Sequence, residues 1–264
     1  METFLSLCLN KMVDRFAEVK LLLDLAEKNK FKTNIYNCLC KSASILIVAH
    51  FEGSLKDITE SILEDINKFG RFSDSSQDIK RTFCGHFFQN SEISEKNREQ
   101  SIKKLIATLN DLDTKLVKEA FIYKDNKNPS AKYIDTLAAK FGISNFLRFI
   151  HDSKLDVVFE GSLSDIEKLK KDMFDQLIDS SKEFPYKIDY SEYCFNESIL
   201  PKNNKSLWNT FIEDMLRNRN NIAHGTITND NYSLYELGVT ALKVQIITFA
   251  FALIIAQNSY RIQN

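Results

Sequence analysis

Phe4 to Lys28 reads FLSLCLNKMVDRFAEVKLLLDLAEK, and within it Leu5, Leu9, Met12, Phe16, Val19, Leu22, Leu23 and Leu25 recur at helical spacing with charged residues between them. That period predicts one long amphipathic helix. A second run, from about Ile35 to Phe69, carries Leu39, Ala43, Ile45, Leu46, Val48, Ala49, Phe51, Leu55, Ile58, Ile62, Leu63 and Ile66 at the same spacing. The connection between them, Asn29 to Thr33, is short, so the two helices are expected to pack antiparallel.

The same pattern holds over most of the chain. Helical segments are expected at Glu95 to Tyr123, Ser130 to Phe141, about Ser162 to Ser181, Leu207 to about Ala223 and Leu234 to Ile262. With 3 Pro and 7 Gly in 264 residues, few punctuation points interrupt them, and a large sheet is excluded. Leu155 to Phe159 is the one short run with the look of a strand. Arg71 to Ser94 is polar, aromatic and aperiodic, an excursion from the helical core, and Glu183 to Asn204, with Pro185 and Pro201, reads as an irregular connection. The octapeptide FEGSLKDI at Phe51 to Ile58 returns as FEGSLSDI at Phe159 to Ile166, but the flanks share only helical periodicity, which favours a recurring helix entry or coincidence over duplication.

Composition bounds the function. The 35 basic and 36 acidic side chains leave a net charge of -1, so attraction to nucleic acid has to come from a local patch. Five irregularly spaced cysteines imply no disulfide framework and point to a reducing, cytoplasmic setting. The opening METFLSLCLNKMVDRF reads as a first helix rather than a secretory leader. Leu237 to Ala256, LGVTALKVQIITFAFALIIA, is long enough to span a bilayer, yet it carries Lys243, Gln245 and two Thr and reads as a buried core helix. Cys38, Cys40, Cys84 and His86 are too closely spaced for the usual structural zinc site and are taken as buried free thiols and a histidine, with no metal and no cofactor expected.

The densest polar cluster is RNRNNIAHG, Arg217 to Gly225, which places two guanidiniums, three amides and an imidazole beside a core helix. On a helical wheel Arg217, Asn220 or Asn221, and His224 share a face, while Arg219 stands about 140° from His224. Arg and His converging on a phosphodiester can cut RNA without a metal. The imidazole takes the proton of the 2′-OH or gives one to the leaving oxygen, and the guanidinium neutralises phosphate charge. A second Arg-to-His spacing, Arg81 to His86, lies in the aperiodic excursion with Thr after the Arg. For His224 a plainer role is also open, that of a helix C-terminal cap before Gly225.

RNRNNIAHG resembles the signature of the HEPN superfamily of helical ribonucleases, with Arg219, Asn220 and His224 at the matching positions and Arg217 at a second permitted one. ILIVAHFEGSLKDI, Ile45 to Ile58, is similar to the second helix of MAE-type and RiboL-PSP-type HEPN proteins. The resemblance implies an all-α antiparallel helical bundle forming one domain over residues 1–264, with a core at about 1–68 and 130–262 and an irregular or helical insertion at about 70–130. It also implies a homodimer with a composite cleft and a metal-independent endoribonuclease of a toxin-antitoxin or antiphage system, leaving a 2′,3′-cyclic phosphate.

The alternative is a non-catalytic HEPN-like module that binds a partner protein, nucleotide or RNA. On the enzymatic expectation Arg219, Asn220 and His224 are catalytic, and Arg217, Asn221, Glu52 and His50 support them. Lys202 and Lys205 contact RNA, tRNA among the candidates, with Trp208 or Tyr193 stacking bases unless they belong to the core. An antitoxin or operon-encoded regulator is the further partner expected, and no membrane. Position 226, where some HEPN toxins carry Tyr, is Thr here.

Overall fold

The computed structural model describes residues 2–89, 93–112, 114–122, 128–195, 205–225 and 233–260. Ten α-helices occupy them: α1 (Phe4–Lys28), α2 (Thr33–Phe69), α3 (Gln77–His86), α4 (Glu95–Asn110), α5 (Ala131–Ala139), α6 (Phe146–Phe149), α7 (Val157–Glu160), α8 (Leu163–Ser181), α9 (Leu207–Ala223) and α10 (Leu234–Gln257). Among the described residues the only β pairing is an isolated antiparallel bridge between Ser75 and Tyr260. The all-α architecture expected from the periodicity is the one observed.

The hairpin of α1 and α2 forms one wall, and α10 packs against α2, α8 and α1. The periodic residues of α1 do the packing, since Leu5, Leu9, Met12, Phe16 and Val19 are all buried. In α10 the apolar run is buried nearly all round, with Val244 and every residue from Ile246 to Ala256 inside the bundle. Both α2 and α10 are long and apolar enough to cross a membrane, and α10 spends that surface on the protein core.

The N-terminus of α1 is fixed by a buried carboxylate. Asp65, on α2 and inaccessible to solvent, accepts hydrogen bonds from the Phe4 N–H at 2.8 Å, the Leu5 N–H at 3.0 Å and the Tyr186 hydroxyl at 2.6 Å. Two of the orphan donors of a helix start are thereby satisfied on a neighbouring helix. Burial pushes the Asp65 carboxyl above its ordinary range against the pull of those three donors. Thr3 caps the helix through its side chain, accepting from the Ser6 N–H, and donates its hydroxyl to the Ser181 carbonyl at the end of α8.

Three segments depart from their sequence expectation. The excursion Arg71 to Ser94 contains α3, which starts on a Ser76 N-cap and buries Ile79, Phe83 and Cys84. Where one helix is expected over Glu95 to Tyr123, α4 ends at Asn110 and a short 3-10 turn follows at Lys118–Ala120. The strand expected at Leu155 to Phe159 is instead a 3-10 turn, Lys154–Asp156, running into α7. With no neighbouring strand to pair with, its backbone groups are satisfied locally.

The repeated octapeptide takes two conformations. In the first copy Gly53 and Ser54 lie inside α2, with Ser54 buried. In the second, Gly161 is extended and Ser162 is an N-cap, closing a capping box with Asp165 that starts α8. The second copy begins inside α7 and breaks at Gly161 before α8 starts, whereas the first continues through α2, so seven shared residues do not by themselves fix the conformation.

Lys140, after α5, donates its ammonium to the Ala120 and Phe121 carbonyls at 3.2 and 2.8 Å, and burial brings its pKa down to about 8. Between about pH 8 and the unfolded value of 10.5 the unfolded chain holds this proton and the folded one does not, so this group makes stability rise with pH there. Thermal denaturation at pH 8 and pH 10 should show a smaller gain for Lys140→Met than for wild type; equal gains would assign the pH dependence elsewhere.

Candidate active site on the last turn of α9

Ser206 starts α9 with a capping box: its hydroxyl oxygen accepts the Asn209 N–H at 3.2 Å, and Asn209 Oδ1 accepts the Ser206 N–H at 3.1 Å. Trp208, Ile212, Met215 and Leu216 bury one face of the helix. The other face, rich in polar residues, is left outward at the far end. Arg217, Asn218 and His224 are exposed, and Arg219, Asn220 and Asn221 are half-buried.

The helix ends on the motif itself. His224 is the C-cap residue, its N–H bonded to the Asn220 carbonyl at 2.9 Å. Gly225 follows in the left-handed region at φ 65°, a conformation glycine adopts without penalty and the one that commonly terminates a helix. The capping geometry is real, and it leaves the imidazole projecting from a fixed backbone into solvent.

Arg219 Nη1 donates to Asn220 Oδ1 at 3.0 Å. On an ideal helix Asn220 is about 40° from His224 whereas Arg219 is about 140° away. The bond ties the guanidinium to Asn220, one turn before His224, a contact the helical wheel alone does not supply. No carboxylate among the described residues pairs with Arg219, while Arg217 pairs with Asp214 at 3.1 Å. The other Arg-to-His spacing is different: it lies on α3, a helix after all, and Arg81 is held by Glu99 through two hydrogen bonds of 2.9 and 2.8 Å.

The family model of RiboL-PSP-HEPN matches residues 10–155, more than half of the chain. The chain belongs to the RiboL-PSP-HEPN family. HEPN-type modules are helical and often ribonucleases, and the bundle found here is of that class. No curated protein and no solved structure matches the chain. In this RiboL-PSP-HEPN protein the matched span takes in most of α1, all of α2 and the segment 70–130, and Arg219 to His224 lie C-terminal to it.

His50 and Glu52 fall within the match but find their partners away from α9. His50 Nε2 is 3.3 Å from Glu18 on α1, its ring meets Phe16 edge-on, and burial pushes its pKa below the usual imidazole value. Glu52 pairs with Lys56 at 2.7 Å along α2. Neither contact joins the motif.

The expected RNA rim is also dispersed. Lys205 precedes α9 and is bonded to Glu213 at 2.7 Å, and its fourteen-residue separation from Arg219 places it about 21 Å away along the helix. Lys202 and Thr226 lie outside the described residues. Trp208 is fully buried and donates its indole N–H to Asp156 at 3.0 Å. Tyr193 is buried with its hydroxyl on Gln176 at 2.7 Å. Both are core residues and cannot stack on a base.

Cys40 and Cys84 are buried free thiols as expected, whereas Cys38 is exposed because it sits on the outer face of α2. Among the described residues the one His and carboxylate cluster with metal-ligand spacing is His151, Asp152 and Asp156. Asp156 is already committed there, accepting the Trp208 indole on one oxygen and the Asp152 N–H, at 2.9 Å, on the other. The cluster clamps the turn before α7 to the first turn of α9, so its role is to position the helix that carries the motif.

Proposed function

We propose that this RiboL-PSP-HEPN protein is a metal-independent endoribonuclease whose reacting groups are His224 and Arg219. The observation that carries the proposal is the Arg219 to Asn220 hydrogen bond one turn before an exposed His224: a guanidinium with no carboxylate partner among the described residues, held by an amide on the helix end that carries the imidazole. His224 removes the proton from a ribose 2′-OH, or delivers one to the departing 5′-oxygen, and Arg219 stabilises the charge that builds on the phosphate. Because the attacking hydroxyl is tethered beside the phosphorus, orientation and proton transfer are most of what the protein has to supply. The bond formed is 2′-O to P and the bond broken is P to 5′-O, leaving a 2′,3′-cyclic phosphate and a 5′-hydroxyl.

Asn220 positions Arg219, and Arg217, exposed and paired with Asp214 on the surface, adds positive potential for the strand. A homodimer would set two such helix ends across one cleft. Exposed Leu21, Leu25, Phe31, Ile35 and Tyr235 support it, since they crowd the end of the bundle where α1 turns into α2 and α10 begins, the end toward which α9 also runs. Phe31 is 91 % exposed, an arrangement that a second copy would relieve. The setting we infer is a toxin-antitoxin or antiphage system in the cytoplasm, with tRNA among the substrates.

The purified protein in EDTA should cut a mixed RNA pool and leave DNA of matched sequence intact, since DNA lacks the nucleophile. Cleavage of both would point to a different attacking group. Intact RNA with a folded protein would favour the second HEPN role, a module that binds RNA, nucleotide or protein without cutting.

A further inference from the structure

Beside the motif, α9 and α10 enclose a groove of about 320 Å³, open to solvent, with Ser44 and Ile47 of α2 at its floor. Its apolar wall is Phe159, Leu207 and Phe211, and its polar rim includes Asn218 and Lys243. Asn218 belongs to the RNRNN segment and its carboxamide has no hydrogen-bond partner among the described residues.

Lys243 is the unusual member. It is the only basic residue of α10, a helix otherwise given over to the core. Its ammonium lies 4.5 Å from the centre of the Phe159 ring and 5.6 Å from that of Phe211. No carboxylate among the described residues pairs with it; Asp214, on the same rim, is engaged by Arg217. A half-buried cation compensated only by aromatic faces recovers part of its lost hydration, and an anion in the groove would supply the rest. Burial accordingly holds the Lys243 ammonium below its ordinary pKa.

A charge for a phosphate, an apolar aromatic wall for a base and a free carboxamide for a base edge are the complement of a nucleotide. The groove is of small-ligand size, and its rim residue Asn218 is the sequence neighbour of Arg219. We propose that it is a nucleotide-binding subsite, in which Lys243 holds the phosphate, Phe211 and Leu207 pack the base and Asn218 reads its edge. The occupant is either the nucleotide that flanks the scissile phosphate, which rests on the nuclease assignment above, or a free nucleotide.

The test uses the full chain and two probes: a fluorescently labelled 2′-deoxy oligonucleotide, which cannot be cut by 2′-OH attack, followed by anisotropy over a range of salt, and adenosine 5′-monophosphate, followed by calorimetry. Lys243→Gln should weaken at least one probe about fivefold at an unchanged melting temperature, and Lys243→Arg should retain binding. If the oligonucleotide is the ligand, the slope of log affinity against log salt should also fall by about 0.7, which a merely structural lysine would not alter.

An effect on the monophosphate alone assigns the groove to a free nucleotide. Lys243→Gln binding both probes as wild type does, or weakening them only in step with lost thermal stability, overturns the subsite. The two assignments fail separately. A folded wild type that cuts no RNA but binds the monophosphate through Lys243 ends the nuclease assignment and keeps the subsite, and a Lys243→Gln variant that binds and cuts normally does the reverse.

Discussion

His224→Ala should lower RNA cleavage by roughly 10²- to 10⁴-fold, the range that a single general acid or base contributes. The fold should barely register the change. The imidazole is exposed, and the interactions that end α9 are made by backbone, the His224 N–H to Asn220 and the Gly225 N–H to Ile222 at 3.2 Å. What the side chain can add to stability is its interaction with the helix dipole, about 0.3–1 kcal/mol when it is charged. His224→Lys separates the two roles, because it places a cation at the helix end and supplies no imidazole for proton transfer. The nuclease account expects both variants to be inactive, with the lysine form as stable as wild type. Activity recovered by lysine would make His224 a cap and a counter-charge only. Arg219→Ala should be similarly damaging, and Asn220→Ala less so, since it leaves the guanidinium in place but unoriented.

The second large effect concerns folding. Asp65→Ala removes the acceptor shared by the Phe4 N–H, the Leu5 N–H and the Tyr186 hydroxyl; Asp65 and Leu5 are fully buried, and Phe4 and Tyr186 half-buried. Leaving buried donors unpaired costs about 1–3 kcal/mol each where no water replaces the partner, so a total near 3 kcal/mol is expected after partial relaxation. For a chain of this length that corresponds to a melting temperature lower by roughly 6–10 °C. Tyr186→Phe deletes one of the three donors and should cost about 1 kcal/mol, and in the Asp65→Ala background it should cost almost nothing. Thermal denaturation of the two single variants and the double one checks this; additive losses would mean that Tyr186 and Asp65 act independently.

The long helices were legible because their apolar residues repeat without interruption. In α1, α2, α8 and α9 most of the periodic residues lie on the buried face, with Leu25, Ile45 and Ala49 exposed, and the boundaries of α9 emerged as expected because Ser206 and Gly225 are strong start and stop signals. α3 was hidden by composition: its buried residues, Ile79, Phe83 and Cys84, are separated by Lys, Arg and Thr, and only the Ser76 cap marks it. The run at Leu155 had strand-like residues, but whether a strand forms depends on a partner that no local sequence reveals.

The site was legible as a list of residues and not as a geometry. Arg219 lies off the histidine face by helical spacing, and its contact with Asn220, which is nearer that face, is a side-chain rotamer choice. Trp208 and Tyr193 have the chemistry of base-stacking residues, and only burial shows that they are core. Lys243 in the sequence was simply a charge arguing against a membrane span. Its position over two rings, in a groove it shares with Asn218, depends on how α9 and α10 are set beside α2.

The chemistry of the fragment ends tests the central claim most directly. Wild type and the Arg219→Ala/His224→Ala double variant, both shown to be folded, are incubated with total tRNA and a mixed RNA pool in EDTA, and the termini are mapped. The account predicts fragments from wild type alone, each with a 2′,3′-cyclic phosphate on one side of the cut and a 5′-hydroxyl on the other. Fragments bearing 5′-phosphates, or equal cutting by the double variant, would contradict it.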